Sequence, residues 1–146
     1  MEYISNSPLE TQKIAARFII DAIKRPRSGA LCVGLEGELG AGKTTFTQGI
    51  AKGLGITRIV QSPTFIIMRP LVLPKTLHGI STFYHFDWYR LSSPSDIKIL
   101  EWDEIISNTS HLVLVEWADK FPSLYPEGMI QIYFSIKDSA RKISFL

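Results

Sequence analysis

Residues 37–44 read Gly-Glu-Leu-Gly-Ala-Gly-Lys-Thr, a complete G-x-x-x-x-G-K-T loop. Few short motifs constrain a fold so tightly, because this loop works only between a buried strand and the start of a helix. Both neighbours are legible. Residues 30–35, Ala-Leu-Cys-Val-Gly-Leu, form a short apolar run suited to a buried strand. Residues 44–54 read as a helix that stops at Gly53-Leu54-Gly55. Gly37 and Gly42 let backbone N–H groups approach phosphate oxygens, and the helix N-terminus adds partial positive charge at the same point. Lys43 has the reach to meet β- and γ-phosphates, and the Thr44 hydroxyl is a ligand for Mg²⁺. Glu38, Leu39, Gly40, Ala41, Gly42, Lys43, Thr44 and Thr45 therefore make up the expected phosphate cradle, with a nucleoside triphosphate as its ligand.

The rest of the composition narrows the class. A chain of 146 residues, 45% apolar, is long enough for one domain with a real core. Its net charge of +2 is too small for a dense nucleic-acid-binding arm. Cys32 is the only cysteine, so no internal disulfide forms; a buried thiol in a reducing compartment is the expectation. No apolar run approaches the roughly 20 residues of a membrane span. Met1-Glu2-Tyr3 begins no charged-then-apolar leader. These features point to a soluble, cytoplasmic protein.

Along the chain, Ser7-Pro8-Leu9-Glu10 opens a first helix, with Ser7 as N-cap and Glu10 closing a capping box. Ile14, Phe18, Ala22 and Ile23 form its apolar face, with Lys13, Arg17, Asp21 and Lys24 opposite. Residues 65–69 and 80–86 read as an antiparallel strand pair at one side of the sheet, joined by a looser stretch containing Pro70, Pro74 and Gly79. Residues 95–106 read as one helix capped by Ser93 or Ser95. His111-Leu112-Val113-Leu114-Val115 reads as a buried parallel strand. Ile130, Ile132, Phe134 and Ile136 alternate with wetter positions, as in a strand with one polar face, and a turn at 138–141 leads to a last short strand.

Nucleotide hydrolysis also needs an acid to hold Mg²⁺ or orient water. Glu116 follows the apolar run 112–115, at the carboxyl end of a core strand, where ligands of open α/β sheets bind. Asp87 ends the strand containing Tyr84-His85-Phe86. Both are candidate metal ligands and catalytic acids beside Lys43 and Thr44. Ser62-Pro63-Thr64-Phe65 has two readings: a loop whose Thr64 hydroxyl senses the γ-phosphate, or an ordinary Ser-Pro turn. Trp88 and Trp117 each follow one of the acids, which suits either stacking on a ligand or partner, or core packing. His85 and His111 read as strand residues with satisfied hydrogen bonds, and no ligand spacing suggests a zinc site.

Four segments then agree in order and spacing: the loop with its Thr44-Thr45-Phe46 continuation, Ser62-Pro63-Thr64-Phe65, His85-Phe86-Asp87-Trp88-Tyr89-Arg90-Leu91, and Leu114-Val115-Glu116-Trp117. Together they resemble the TsaE family, formerly YjeE, the bacterial ATPase of tRNA threonylcarbamoyladenosine biosynthesis. The resemblance runs from the first helix to the strand near Ile136. It implies an α/β fold, a P-loop NTPase-like three-layer sandwich with a central mainly parallel sheet and antiparallel edge strands, in one domain over residues 1–146. It further implies ATP and Mg²⁺ as cofactors. Two partner proteins of the threonylcarbamoyl transfer complex are implied as well, with tRNA contacted indirectly. By position, Lys43 and Thr44 would serve phosphate and metal, Thr64 a switch-like loop, Asp87 and Glu116 the metal and the attacking water, and Trp117 the nucleotide. The Glu101-Trp102-Asp103-Glu104 segment lacks a glycine that the family pattern leads us to expect just before it.

Other classes remain open. A small-molecule kinase would need an arginine-bearing lid, and Arg141 is the only arginine after Arg90. A GTPase would need an Asn-Lys-x-Asp segment, which is missing. A non-catalytic module would bind nucleotide only to order its loops. The favoured reading is a weak ATPase on its own, completed by a partner docking over the Thr64 loop and residues 87–90.

Overall fold

The computed structural model describes residues 1–58 and 67–146. Among the described residues, seven strands form one sheet: β1 (Glu2–Ser5), β2 (Leu31–Gly37), β3 (Met68–Leu77), β4 (Ile80–Asp87), β5 (His111–Glu116), β6 (Ile130–Lys137) and β7 (Ala140–Phe145). Their order is β1-β7-β6-β2-β5-β4-β3. The four central strands run parallel, β6-β2-β5-β4, and the outer pairings β1/β7, β7/β6 and β4/β3 are antiparallel. A mainly parallel centre with antiparallel edges is therefore what the chain builds. The centre is parallel because β2 and β5 are apolar on both faces, and only a sheet covered on both sides buries such strands.

Two helices cover one face. Helix α1 (Pro8–Ala22) starts as its sequence demands: the Ser7 side chain accepts from the Glu10 N–H at 3.1 Å, with Pro8 in the first turn. Glu10 reaches one residue further back than a capping box requires, accepting from the Asn6 N–H at 2.5 Å. Its buried face is Thr11, Ala15, Ile19 and Ala22, with Ile14 and Phe18 at the margin, so the apolar stripe is rotated from the expected one. The reason is close packing on helix α2 (Lys43–Gly53). A Cβ at Gly49 would strike the Gln12 backbone and Ala15, so small residues occupy the seam. Ile19, Phe46, Ile50, Leu35, Leu114 and Phe134 belong to the core on this side.

The other face is covered by α3 (Pro94–Lys98), α4 (Trp102–Ser107) and single helical turns at Ala118–Lys120 and Pro122–Leu124. The expected continuous helix over 95–106 is broken. Ser93 caps α3, and Glu101 adopts a left-handed conformation, φ 62°. A straight helix that buried Ile97 would point Trp102 well off the core face. The break turns Trp102 and Ile105 inward, against Phe86 and Trp88. The left-handed residue is Glu101 itself, one place after the position where a family glycine was expected. Glycine takes this conformation without the steric cost of a Cβ, about 1 kcal/mol or more. Glu101→Gly should therefore stabilise the chain by about 1 kcal/mol and raise Tm by about 2–4 °C. A thermal melt that is unchanged or lowered would contradict this.

One further expectation needs correction, and one strand was not foreseen. The stretch after residue 69 is not loose: β3 continues to Leu77 as the edge strand, with Pro70 and Pro74 inside it. An edge position tolerates prolines, because a missing N–H need not break the ladder. A register irregularity lies between Val72 and Leu77, and His78-Gly79 (φ 47° and 84°) make a two-residue hairpin turn. The N-terminal residues also form β1, paired to β7, although only Ser5 is buried and no alternation announces it.

Candidate functional site

The phosphate loop sits at the carboxyl end of β2, the central strand, flanked by β5 and β6. Gly37 has φ 134°, and a Cβ there would overlap the Phe134 carbonyl. No other residue fits this bend. Gly42 is the N-cap of α2. A cleft of ≈ 380 Å³ opens above the loop, lined by Leu39, Gly40, Gly42, Lys43, Thr44, Thr45, Asp87, Tyr89, Glu116 and Trp117. Nine of the expected site residues thus meet in one place. Glu38 and Ala41 belong to the loop but not to the cleft wall. Ala41 is buried, and a Glu38 carboxylate oxygen accepts from the Ile136 N–H at 3.4 Å. Thr64 and its loop lie outside the described residues. A larger cleft, ≈ 700 Å³, lies at the opposite ends of the strands between residues 25–32 and 126–130. It gathers none of these carboxylates or loop amides, so size does not mark the site here.

Lys43 points into the loop, donating from Nζ to the carbonyls of Gly37 (2.6 Å) and Glu38 (2.8 Å). Burial holds its ammonium below the usual lysine range, and the carboxylates of Glu116, Asp119, Asp87 and Glu38 pull the other way. Its Nζ lies 4.0 Å from the centre of the Trp117 ring, a cation–π contact. Trp117 reaches that position through backbone strain: it has φ 61°, immediately after Glu116. The Tyr89 ring packs on Trp117, with centroids 4.9 Å apart.

The acids come from adjacent parallel strands. Asp87 and Glu116 are register partners across β4 and β5, and both are buried. Thr44 Oγ1 donates to Glu116 Oε1 at 2.9 Å. Asp87 Oδ1 accepts from the Tyr89 N–H at 2.9 Å. His85 Nε2 lies 2.5 Å from Glu116 Oε2. The two tryptophans now part company. Trp88 is wholly buried against Trp102 and Phe121, whereas Trp117 lines the cleft.

Three residues exceed what the local pattern offered. Tyr89 lines the cleft, although only its place in a motif pointed to it. His85 is not an ordinary strand histidine, because it touches Glu116; its shared strand face with Asp87 was the available signal. Arg141 donates from Nε to the Gly40 carbonyl at 3.0 Å, far from its neighbours in sequence. Among the arginines, Arg90 lies close in sequence to a proposed site residue, three positions after Asp87. The β6–β7 hairpin adds Arg141, and no local pattern foretells that placement. Cys32 is buried at the start of β2, and burial pushes its thiol up to about 12.

Comparisons with known proteins identify the family. The family model described as Threonylcarbamoyl adenosine biosynthesis protein TsaE matches residues 5–143. The tRNA threonylcarbamoyladenosine biosynthesis protein TsaE of Bacillus subtilis is 40% identical over 95% of this chain and 80% of its own length. The protein of the same name from Haemophilus influenzae is 31% identical over 92% of this chain and 81% of its own. The crystal structure of Bacillus subtilis YdiB superposes with a TM-score of 0.73 at 34% identity, covering 99% of this chain and 83% of that one. With a matching family model over nearly its whole length and relatives of this similarity, the chain belongs to the TsaE family.

Proposed function

We propose that this chain is a Mg²⁺-dependent P-loop ATPase that serves tRNA threonylcarbamoyladenosine biosynthesis together with two partner proteins. The observation that carries the reading is the meeting of Lys43, Thr44, Asp87 and Glu116 in one cleft at the strand ends, in a chain of this family. The donor set suits Mg²⁺, a hard cation that takes hydroxyl and carboxylate oxygens. Thr44 Oγ1 and Glu116 Oε1 are 2.9 Å apart. Two oxygens this close can face one cation.

In this reading the loop amides and the N-terminus of α2 bind the phosphates, and Lys43 turns from the loop carbonyls to the β- and γ-phosphates. Thr44 and Glu116 would hold Mg²⁺, with Asp87 beside them serving the metal or the attacking water. Held there, Mg²⁺ would supply positive charge beside the phosphates and offset the charge that develops in transfer. Trp117 and Tyr89 wall the cleft and limit water. The reaction is ATP + H₂O → ADP + phosphate.

The chain is expected to be slow alone. Phosphoryl transfer gains about 10³- to 10⁵-fold from an arginine placed on the γ-phosphate, often by a second protein. Arg141 is engaged with the Gly40 carbonyl. Leu39 and Tyr89 leave an exposed apolar rim beside the cleft, suited to a partner docking over residues 87–90. The tRNA is reached through the partners. Among the described residues no helix is long and apolar enough to cross a membrane, and a cytoplasmic location goes with a tRNA-modifying role. The test is phosphate release by the purified chain, alone and then with the partner pair and tRNA. Adding them should raise turnover by at least about 10²-fold. Fast turnover alone, or a phosphorylated small molecule in place of free phosphate, would contradict the proposal.

A further inference from the structure

We propose that His85 is a positioning residue for Glu116, tethering one carboxylate oxygen so that the other is presented to Thr44 and the metal. This rests on the metal-site reading above and adds a residue to it. In the register of β4 and β5, Asp87 pairs with Glu116 and His85 with Leu114. Strand alternation puts His85, Asp87, Leu114 and Glu116 on the same face, so His85 sits one diagonal step from Glu116. Its Nε2 lies 2.5 Å from Glu116 Oε2, while Glu116 Oε1 accepts from Thr44 Oγ1 at 2.9 Å. Each carboxylate oxygen therefore has its own partner, from a different element of the fold.

Among the described residues the ring has no other polar task. His85 is wholly buried, and among the described residues its Nδ1 has no hydrogen-bond partner. His111 differs: its Nδ1 is tied to the Ile105 carbonyl at 2.9 Å. Apolar Phe83 and Leu114 neighbour His85, and the imidazole stacks on the Phe83 ring with 22° between planes. Packing alone would be met there by another apolar side chain. What the imidazole adds is one donor at Nε2, since a carboxylate only accepts. An unprotonated Nδ1 leaves a lone pair unanswered; a proton there would leave a buried N–H unanswered instead. Stacking fixes the ring plane, and the ring fixes the carboxylate. A side chain that orients a ligating carboxylate in this way commonly carries about 10- to 100-fold of metal affinity or activity.

The test uses four variants of the whole chain. His85→Phe keeps the ring and loses the donor. His85→Gln places an amide N–H where Nε2 stands, and His85→Asn places one only as far out as Nδ1. Glu116→Gln serves as reference. Calorimetry measures affinity for a non-hydrolysable ATP analogue across a Mg²⁺ titration and in EDTA. His85→Phe and His85→Asn should need about 10-fold more Mg²⁺ or higher for the same gain in affinity, and His85→Gln should recover most of it. Affinity in EDTA should stay within about 2-fold of wild type in all three. Wild-type Mg²⁺ dependence in His85→Phe would overturn the tether. If that variant does not fold, equal behaviour of His85→Gln and His85→Asn overturns it. An impaired Glu116→Gln beside a normal His85→Phe removes the tether alone. A normal Glu116→Gln removes the metal-site reading and the tether with it.

Discussion

Lys43→Ala should lose ATP affinity by about 10²-fold or more, because two charge-assisted contacts of about 1.5–3 kcal/mol each disappear from the β- and γ-phosphates. The side chain already lies at the centre of the loop, where its Nζ spans the carbonyls of Gly37 and Glu38. It also carries the cation–π contact to Trp117, so the variant loosens one wall of the cleft as well. The loop amides remain, and diphosphate binding should suffer less than triphosphate binding. Calorimetric titration of ATP and ADP into the variant checks both statements. Wild-type affinity for ATP would remove the phosphate-loop assignment.

The acids should separate binding from turnover. Glu116→Gln and Asp87→Asn keep size and lose charge, so each should fold and retain the metal-independent part of its nucleotide affinity, which the loop amides supply. Each should lower turnover by about 10²-fold or more if it holds the metal or orients water. In Glu116→Gln the new amide oxygen can still accept from Thr44, so the contact at 2.9 Å need not break; what goes is the charge beside the metal. Turnover at saturating Mg²⁺, measured with the partner proteins present, reads the effect. A wild-type rate in either variant would clear that residue of its role.

How much of this was legible in the chain depended on how local each feature is. The loop, its strand and its helix form one continuous segment, so hydrophobic pattern and glycine spacing sufficed. Glu116 was equally accessible, because an acid directly after a buried parallel strand has only one end of the sheet to occupy. His85 and Arg141 were not accessible in the same way. Their partners, Glu116 and Gly40, lie 31 and 101 residues away, and strand register brings them together. The break at Glu101 followed from the need to bury Trp102, which outweighed local helix propensity. Trp117 could not be told from Trp88 by pattern, since each follows a strand-end acid; the left-handed backbone at Trp117 made the difference.

The most direct measurement is a calorimetric titration of ATP into the wild-type chain, with excess Mg²⁺ and then with EDTA, repeated in Glu116→Gln. A P-loop site closed by Thr44 and Glu116 predicts one saturable site. Its affinity should rise by about 10-fold or more with Mg²⁺ in the wild type and converge on the EDTA value in the variant. Absence of saturable binding, or an affinity indifferent to both Mg²⁺ and Glu116, would contradict it.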